Sequence, residues 1–260
     1  MIDNRPIGLF DSGVGGLSVL KEVKKILPFE SFIFFADQKN NPYGKKNKKE
    51  LIDLTTNITR FLIEKNIKAL VVACNTATCY VLPHLRKSFN IPIIGVVPAV
   101  KPATKLTKNG RIVVMSTPAT AKSEYLSQLI KKNAKEFKVL KIGCADLEEA
   151  VEYLERKKIS KLLDKYVSII KKFQADVIVL GCTHFPFLKL DIKKRVGKRT
   201  VIIDSGEAIA RRVRTLLKEN KSLSAKKSSD LYFTTGDEQI FSKVASKLLK
   251  YNIQASSIRI

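Results

Sequence analysis

A chain of 260 residues can bury a full core, as one large domain or two of about 100 to 150 residues. It is 45% hydrophobic with 12 Gly and 9 Pro, a soluble globular composition, and no apolar run approaches the ~18 residues that span a bilayer. Its 48 Lys and Arg against 24 Asp and Glu leave a net charge of +24, which suits nucleic acid, anionic lipid or acidic ligands.

The chain opens with a short apolar strand, Ile7-Gly8-Leu9-Phe10, ending at Asp11-Ser12-Gly13-Val14-Gly15-Gly16. Leu17 to Leu27 reads as a helix, with Leu17, Leu20, Val23, Ile26 and Leu27 at helical spacing. A Gly-rich turn into a helix N-terminus suits anions, but this is not the G-x-G-x-x-G dinucleotide fingerprint. A plain strand-to-helix turn explains the glycines, though not the polar Asp11-Ser12 pair. A second strand, Phe32 to Phe35, leads into a polar loop ending Asn41-Pro42-Tyr43-Gly44, and a helix is predicted from about Lys49 to Lys65. The apolar run Ala69 to Ala73 ends at Cys74-Asn75-Thr76, followed by a helix near Cys79 to Phe89 and a strand at Ile91 to Val97. Pro98 and Pro102 flank a change of direction, where a domain crossing is placed.

The second half begins with the strand Arg111 to Met115, whose end carries Ser116-Thr117-Pro118-Ala119-Thr120. A helix over Ala121 to Asn133, a strand at Val139 to Ile142 and helices at Leu147 to Arg156 and Ile159 to Phe173 follow. The apolar run Asp176 to Leu180 then ends at Gly181-Cys182-Thr183-His184-Phe185-Pro186. Val201-Ile202-Ile203 is a strand, Glu207 to Glu219 a helix, Lys221 to Ser229 a Ser/Lys-rich loop, Leu231 to Thr235 a strand and Gln239 to Leu249 the last helix. Alternating strands and helices of this length imply βαβ units and parallel sheets. The two strand-end cysteines lie 108 residues apart, close to the 105 between Asp11 and Ser116, which suggests an internal duplication.

Chemistry concentrates at those two cysteines. Cys74, Cys79, Cys144 and Cys182 form no C-x-x-C pair, and free thiols fit a reducing compartment. A first strand so near the start leaves no signal peptide, so the protein is expected to be cytoplasmic. A small buried hydrophobe is the ordinary reading of a cytosolic Cys, and Cys79 and Cys144 keep it. Apolar runs bounded by turn signals fit strands buried on both faces, and ligands gather beyond the carboxyl ends of such strands. Read as extended chain, His184 points to the same side as Cys182 and can share protons with it. Two thiol bases suit removal of a proton from one face of a carbon and its return to the other, which is racemisation or epimerisation. A Cys–His hydrolase would leave the second strand-end Cys idle, and zinc binding by Cys74, Cys182 and His184 matches no common spacing. The lysine clusters, such as Lys45-Lys46 and Lys226-Lys227, are scattered and lack interleaved aromatics, so a solvated basic surface is favoured over a nucleic-acid site.

The motifs Ile7 to Leu20, Pro42-Tyr43-Gly44, Ala73 to Ala77, Gly95 to Ala99, Ser116 to Thr120 and Leu180 to Pro186 resemble glutamate racemase, in register over nearly the whole chain. Asp204-Ser205-Gly206-Glu207 and Phe233-Thr234-Thr235-Gly236 extend the likeness. The resemblance implies a cofactor-independent enzyme that interconverts L- and D-glutamate for bacterial peptidoglycan; a homodimer is expected, with no metal and no membrane partner, and the scattered lysines disfavour nucleic acid. It implies an α/β fold of two pseudo-symmetric domains, 1–98 with 207–260 and 99–206, each with a mainly parallel sheet flanked by helices and the active site at their interface. Carried over by position, Cys74 and Cys182 are the catalytic acid/bases, Asp11 assists Cys74, and His184 assists Cys182 with Glu152 behind it. Asp11, Ser12, Pro42, Tyr43, Gly44, Asn75, Thr76, Thr117, Thr120, Thr183 and His184 then bind the substrate. Around Glu152 the family usually carries an apolar, Pro-containing segment, whereas Ala145 to Ala150 is acidic here. The early first strand also leaves no room for the extension seen in members activated by a cell-wall precursor. The rivals are a racemase of another acidic amino acid such as aspartate, and a nucleic-acid- or gyrase-binding role. Related decarboxylases and isomerases often lack one of the two cysteines.

Overall fold

The computed structural model describes residues 2–260. The chain forms two compact units, one running up to Val96 and completed by Gly206–Ile260, the other Val97–Ser205. In the first, β1 (Ile7–Asp11), α1 (Leu17–Ile26), β2 (Phe32–Ala36), α2 (Lys48–Glu64), β3 (Ala69–Val72), α3 (Asn75–Ser88) and β4 (Ile93–Gly95) follow in order. The second holds α4 (Val100–Thr104), β5 (Arg111–Ser116), α5 (Pro118–Lys122), α6 (Glu124–Asn133), β6 (Lys138–Gly143), α7 (Leu147–Glu152), α8 (Arg156–Phe173), β7 (Val177–Leu180), α9 (Lys189–Val196) and β8 (Val201–Ile203). The chain then returns to the first unit with α10 (Gly206–Glu219), β9 (Leu231–Thr234), α11 (Glu238–Leu249) and β10 (Ser256–Ser257).

Among the described residues all strand pairs are parallel, in a sheet ordered β10-β9-β2-β1-β3-β4 and a sheet ordered β6-β5-β7-β8. The order β2-β1-β3-β4 repeats as β6-β5-β7-β8, so the duplication read from residue offsets reappears as topology. In each sheet the chain steps to one side of its first strand and then to the other, which puts a switch point between β1 and β3 and another between β5 and β7. In open parallel sheets a crevice opens beyond the strand ends at such a point.

Strand alternation divides the second unit's core. Val113, Met115, Ile178 and Leu180 face α7 and α8, while Ile112, Val114, Val177 and Val179 face α4 and α6. Cys182 continues the Ile178–Leu180 face. In the first unit Leu70, Val72 and Cys74 share a face packed with residues of α2 and α3. Lys68, buried on the approach to β3, pairs with Glu30 at 2.6 Å and donates to the carbonyls of Asp3 and Ser222, pinning the first residues and the 222–224 loop to the sheet.

Several expected elements are redrawn. The helix after Cys74 starts at Asn75 rather than near Cys79, because Cys74 itself is the N-cap. The Ala121 to Asn133 helix is two helices, since Ser123 accepts the Leu126 N–H and caps α6. The helix begun at Leu147 ends at Glu152, where Leu154 takes a left-handed backbone, and α8 starts three residues earlier than the helix predicted at Ile159. The Ile91 to Val97 strand shortens to Ile93–Gly95, and the two-residue β10 carried no periodic signal. Cys79 is half-buried rather than a buried core residue, while Cys144 is buried as expected.

Candidate active site

Two polar clusters stand at the two switch points. In the first unit, Asp11 ends β1 and Cys74 follows β3 after Ala73. The β1–β3 register pairs Phe10 with Val72, so Asp11-Ser12 and Ala73-Cys74 emerge side by side. The Asp11 carboxylate is fully buried and accepts the backbone N–H groups of Ser12, at 2.8 Å, and Gly16. Gly16 is required there. A Cβ on it would stand 2.8 Å from the Asp11 Cβ, 3.0 Å from the Phe34 ring and 3.1 Å from the Ala73 Cβ. The Cys74 thiol donates to Ser12 Oγ at 3.9 Å, and Ser12 Oγ donates to Asp11 Oδ1 at 3.4 Å, so Ser12 links the thiol to the carboxylate. Asn75 and Thr76 open α3 directly after the thiol, and the Asn75 side-chain amide donates to the Val96 carbonyl at 3.3 Å. The first-turn N–H groups of a helix, and its dipole, favour negative charge at that end.

Tyr43 is buried in the turn after Pro42, next to half-buried Gly44, and donates to Asp37 Oδ2 at 2.7 Å. Burial first, then the Asp37 carboxylate, with Cys74 and Asp11 adding to it, push the Tyr43 hydroxyl well above its ordinary range. Tyr43 is therefore a fixed donor. Asp37 also accepts from Thr235 Oγ1 at 2.8 Å and from Asn40 Nδ2 at 2.9 Å. Sequence reading missed Asp37. Its one signal was its place at the end of the second strand, and its partners lie three, six and almost two hundred residues away.

In the second unit β5 ends at Ser116 with Thr117 next, and Gly181-Cys182 follows the end of β7 beside it. Thr117 caps α5, accepting the Thr120 N–H at 3.2 Å and donating to Thr120 Oγ1 at 3.0 Å. Cys182, Thr183 and His184 are all buried. Cys182 Sγ lies 3.8 Å from His184 Nδ1, and His184 Nε2 lies 2.7 Å from Glu152 Oε2. His184 reaches the thiol from a turn, with φ −75° and ψ −32°, not from the extended chain expected, and its carbonyl accepts the Phe187 N–H. Glu152, inferred only from resemblance, meets His184 directly.

The electrostatics of this cluster are one-sided. Burial raises the Cys182 thiol above its usual range, against the hydrogen bond from His184, and the Glu148 carboxylate raises it further. Burial works against charge on His184. Its hydrogen bonds to Cys182 and Glu152 outweigh that and hold the imidazole well above its ordinary value. Both groups are thus biased toward holding their protons. Cys144, at the end of β6, is pushed up by burial and stays an inert thiol.

The Asp/Glu/Hydantoin racemase family profile matches residues 34–213. The chain belongs to that family. Among its racemase relatives, a glutamate racemase of Clostridium novyi is 44% identical over 255 residues, covering 95% of this chain and 98% of the relative. The crystal structure of a glutamate racemase isoform from Bacillus anthracis superposes with a TM-score of 0.91 at 33% identity, covering 99% of this chain and 98% of that one. The Escherichia coli glutamate racemase in complex with L-glutamate and the activator UDP-MurNAc-Ala superposes with a TM-score of 0.85 at 34% identity, covering 97% of each chain. The two-sheet α/β architecture of this racemase-family chain is thus that of solved glutamate racemases. No helix among the described residues is long and apolar enough to cross a membrane.

Proposed function

We propose that this chain is a cofactor-independent glutamate racemase in which Cys74 and Cys182 act on one α-carbon from opposite faces. The observation that carries the reading is a thiol at each of two equivalent switch points, each linked to its own carboxylate: Cys74 through Ser12 to Asp11, Cys182 through His184 to Glu152. The likeness to glutamate racemases over nearly the full length supplies the substrate.

In one direction a thiolate takes the α-proton, and the electron pair of the broken C–H bond passes onto the α-carbon and its carboxylate. The opposite thiol then gives its proton to the other face, a new C–H bond forms, and that sulfur is left as thiolate. When Cys182 is the donor, its new thiolate faces the His184 imidazolium, whose charge Glu152 sustains. When Cys74 is the donor, the α3 N-terminus stabilises the sulfur charge. Ser12, Pro42, Tyr43, Gly44, Asn75, Thr76, Thr117, Thr120 and Thr183 bind the substrate, with Tyr43 fixed in place by the hydrogen bond it donates to Asp37. The same reading makes the protein a cytoplasmic homodimer that supplies D-glutamate for peptidoglycan.

Circular dichroism of D-glutamate, and separately of D-aspartate, with the purified protein and no added cofactor tests substrate and reaction together. The signal from D-glutamate should decay to zero, at least ten times faster than that from D-aspartate, on the scale of discrimination that one methylene permits. Faster decay with D-aspartate would reassign the substrate.

A further inference from the structure

The Cys182 cluster contains a second buried carboxylate that the mechanism above does not use. Glu148 stands four residues before Glu152 on α7, so both project from one side of a two-turn helix. Only 7% of Glu148 is exposed, whereas a solvated face is the usual place for a glutamate. The adjoining side of α7, with Leu147, Ala150 and Val151, packs into the core that includes Cys144, Cys182 and Phe185. The helix also rests against the turn Phe185–Leu188, which follows His184. The Glu148–Glu152 side is therefore fixed toward the thiol–imidazole pair by packing on its neighbour.

The ionisable groups around that pair come from three elements. His184 and Cys182 share one segment, Glu148 and Glu152 come from α7, and the Cys144 thiol comes from the end of β6. Glu152 is spoken for by His184 Nε2. Glu148 acts on both members of the pair, disfavouring charge on the sulfur and favouring it on the imidazole. We propose that Glu148 is a positioning residue of the Cys182 half-site, whose buried carboxylate holds Cys182 in its proton-bearing form and His184 as imidazolium. This inference rests on the reading of Cys182 as a proton carrier, and it gives that carrier a resting state: a loaded acid. A carboxylate fixed beside a thiol opposes the thiolate, and the cationic imidazole then favours it once the proton has been given up. The two influences balance the thiol between its two roles.

The test is histidine-selective carbon-13 NMR of the full chain, since the sequence has two histidines, His84 and His184, and a His84→Asn variant assigns the signals. In Glu148→Gln the His184 titration midpoint should fall by roughly half to one pH unit, with His84 unmoved. The falling limb of kcat/KM against pH for D-glutamate should move the same way. An unchanged His184 midpoint in a folded Glu148→Gln protein would overturn the proposal. Glu148→Met, which keeps the side-chain volume, replaces it should the amide fail to fold. The titration needs no turnover. Hence a shifted midpoint without racemisation would remove the racemase reading and keep Glu148's influence, whereas racemisation without a shift would remove only Glu148's role.

Discussion

Burial disfavours charge on His184, which like Glu152 is 1% exposed, but its hydrogen bonds to Cys182 and to Glu152 Oε2, at 2.7 Å, outweigh that. In the unfolded chain a histidine titrates near pH 6.5, and in the folded protein His184 titrates well above that. The stability this contributes is complete below about pH 6.5 and is lost as pH rises through the folded value. Glu152→Gln should lower the His184 midpoint by at least one pH unit and move the loss of activity at alkaline pH downward. NMR titration and a pH–rate profile read both effects, and a variant titrating as the parent does would contradict the assignment. At this scale the two thiols and His184 were legible, because each sits at a strand end where an apolar run gives way to polar residues. Asp37 was not. Its place at a strand end does not reveal that it holds a tyrosine hydroxyl, and Glu148 lies in an acidic run that reads as solvated surface.

At the scale of elements, β1 and its turn are shaped around Asp11, and Gly16 is the point of closest approach. An added methyl at 2.8 Å from the Asp11 Cβ, with Phe34 and Ala73 behind it, has nowhere to go unless the carboxylate moves. Gly16→Ala should cost about 1–3 kcal/mol of stability through overpacking. It should lower kcat by roughly 10–100-fold through displacement of Asp11 and the Ser12 link to Cys74. Thermal unfolding and steady-state kinetics check the two, and a parent-like kcat would show that Asp11 is not held by this turn. The strand and helix periodicities carried most elements to within a few residues, as for Ile7–Asp11, Leu17–Ile26 and Gly206–Glu219. They failed where a single side chain ends a helix, as Ser123 does, and where β10 adds two residues whose pairing depends on β9, not on local pattern.

For the whole molecule, the repeated order β2-β1-β3-β4 and β6-β5-β7-β8 explains why motifs in the two halves match in position with little identity. Topology, not side-chain detail, is what the halves share. The +24 charge belongs to this scale as well. Spread over many separate lysines, it should give only weak, sequence-independent binding to duplex DNA, falling by 10³-fold or more between 50 and 200 mM salt as counterions compete. Fluorescence anisotropy with a labelled duplex measures this, and tight sequence-dependent binding at physiological salt would make nucleic acid a genuine partner. The central claim concerns the two thiols. Its most direct test is racemisation of D-glutamate in heavy water by the parent protein and by Cys74→Ser and Cys182→Ser, with α-deuterium read by proton NMR. The account predicts one deuterium entering the L-product with the parent. Both serine variants should fold as the parent does and lose at least 10²–10⁴-fold in rate, the scale of a positioned acid or base. Parent-like turnover by either variant would contradict it.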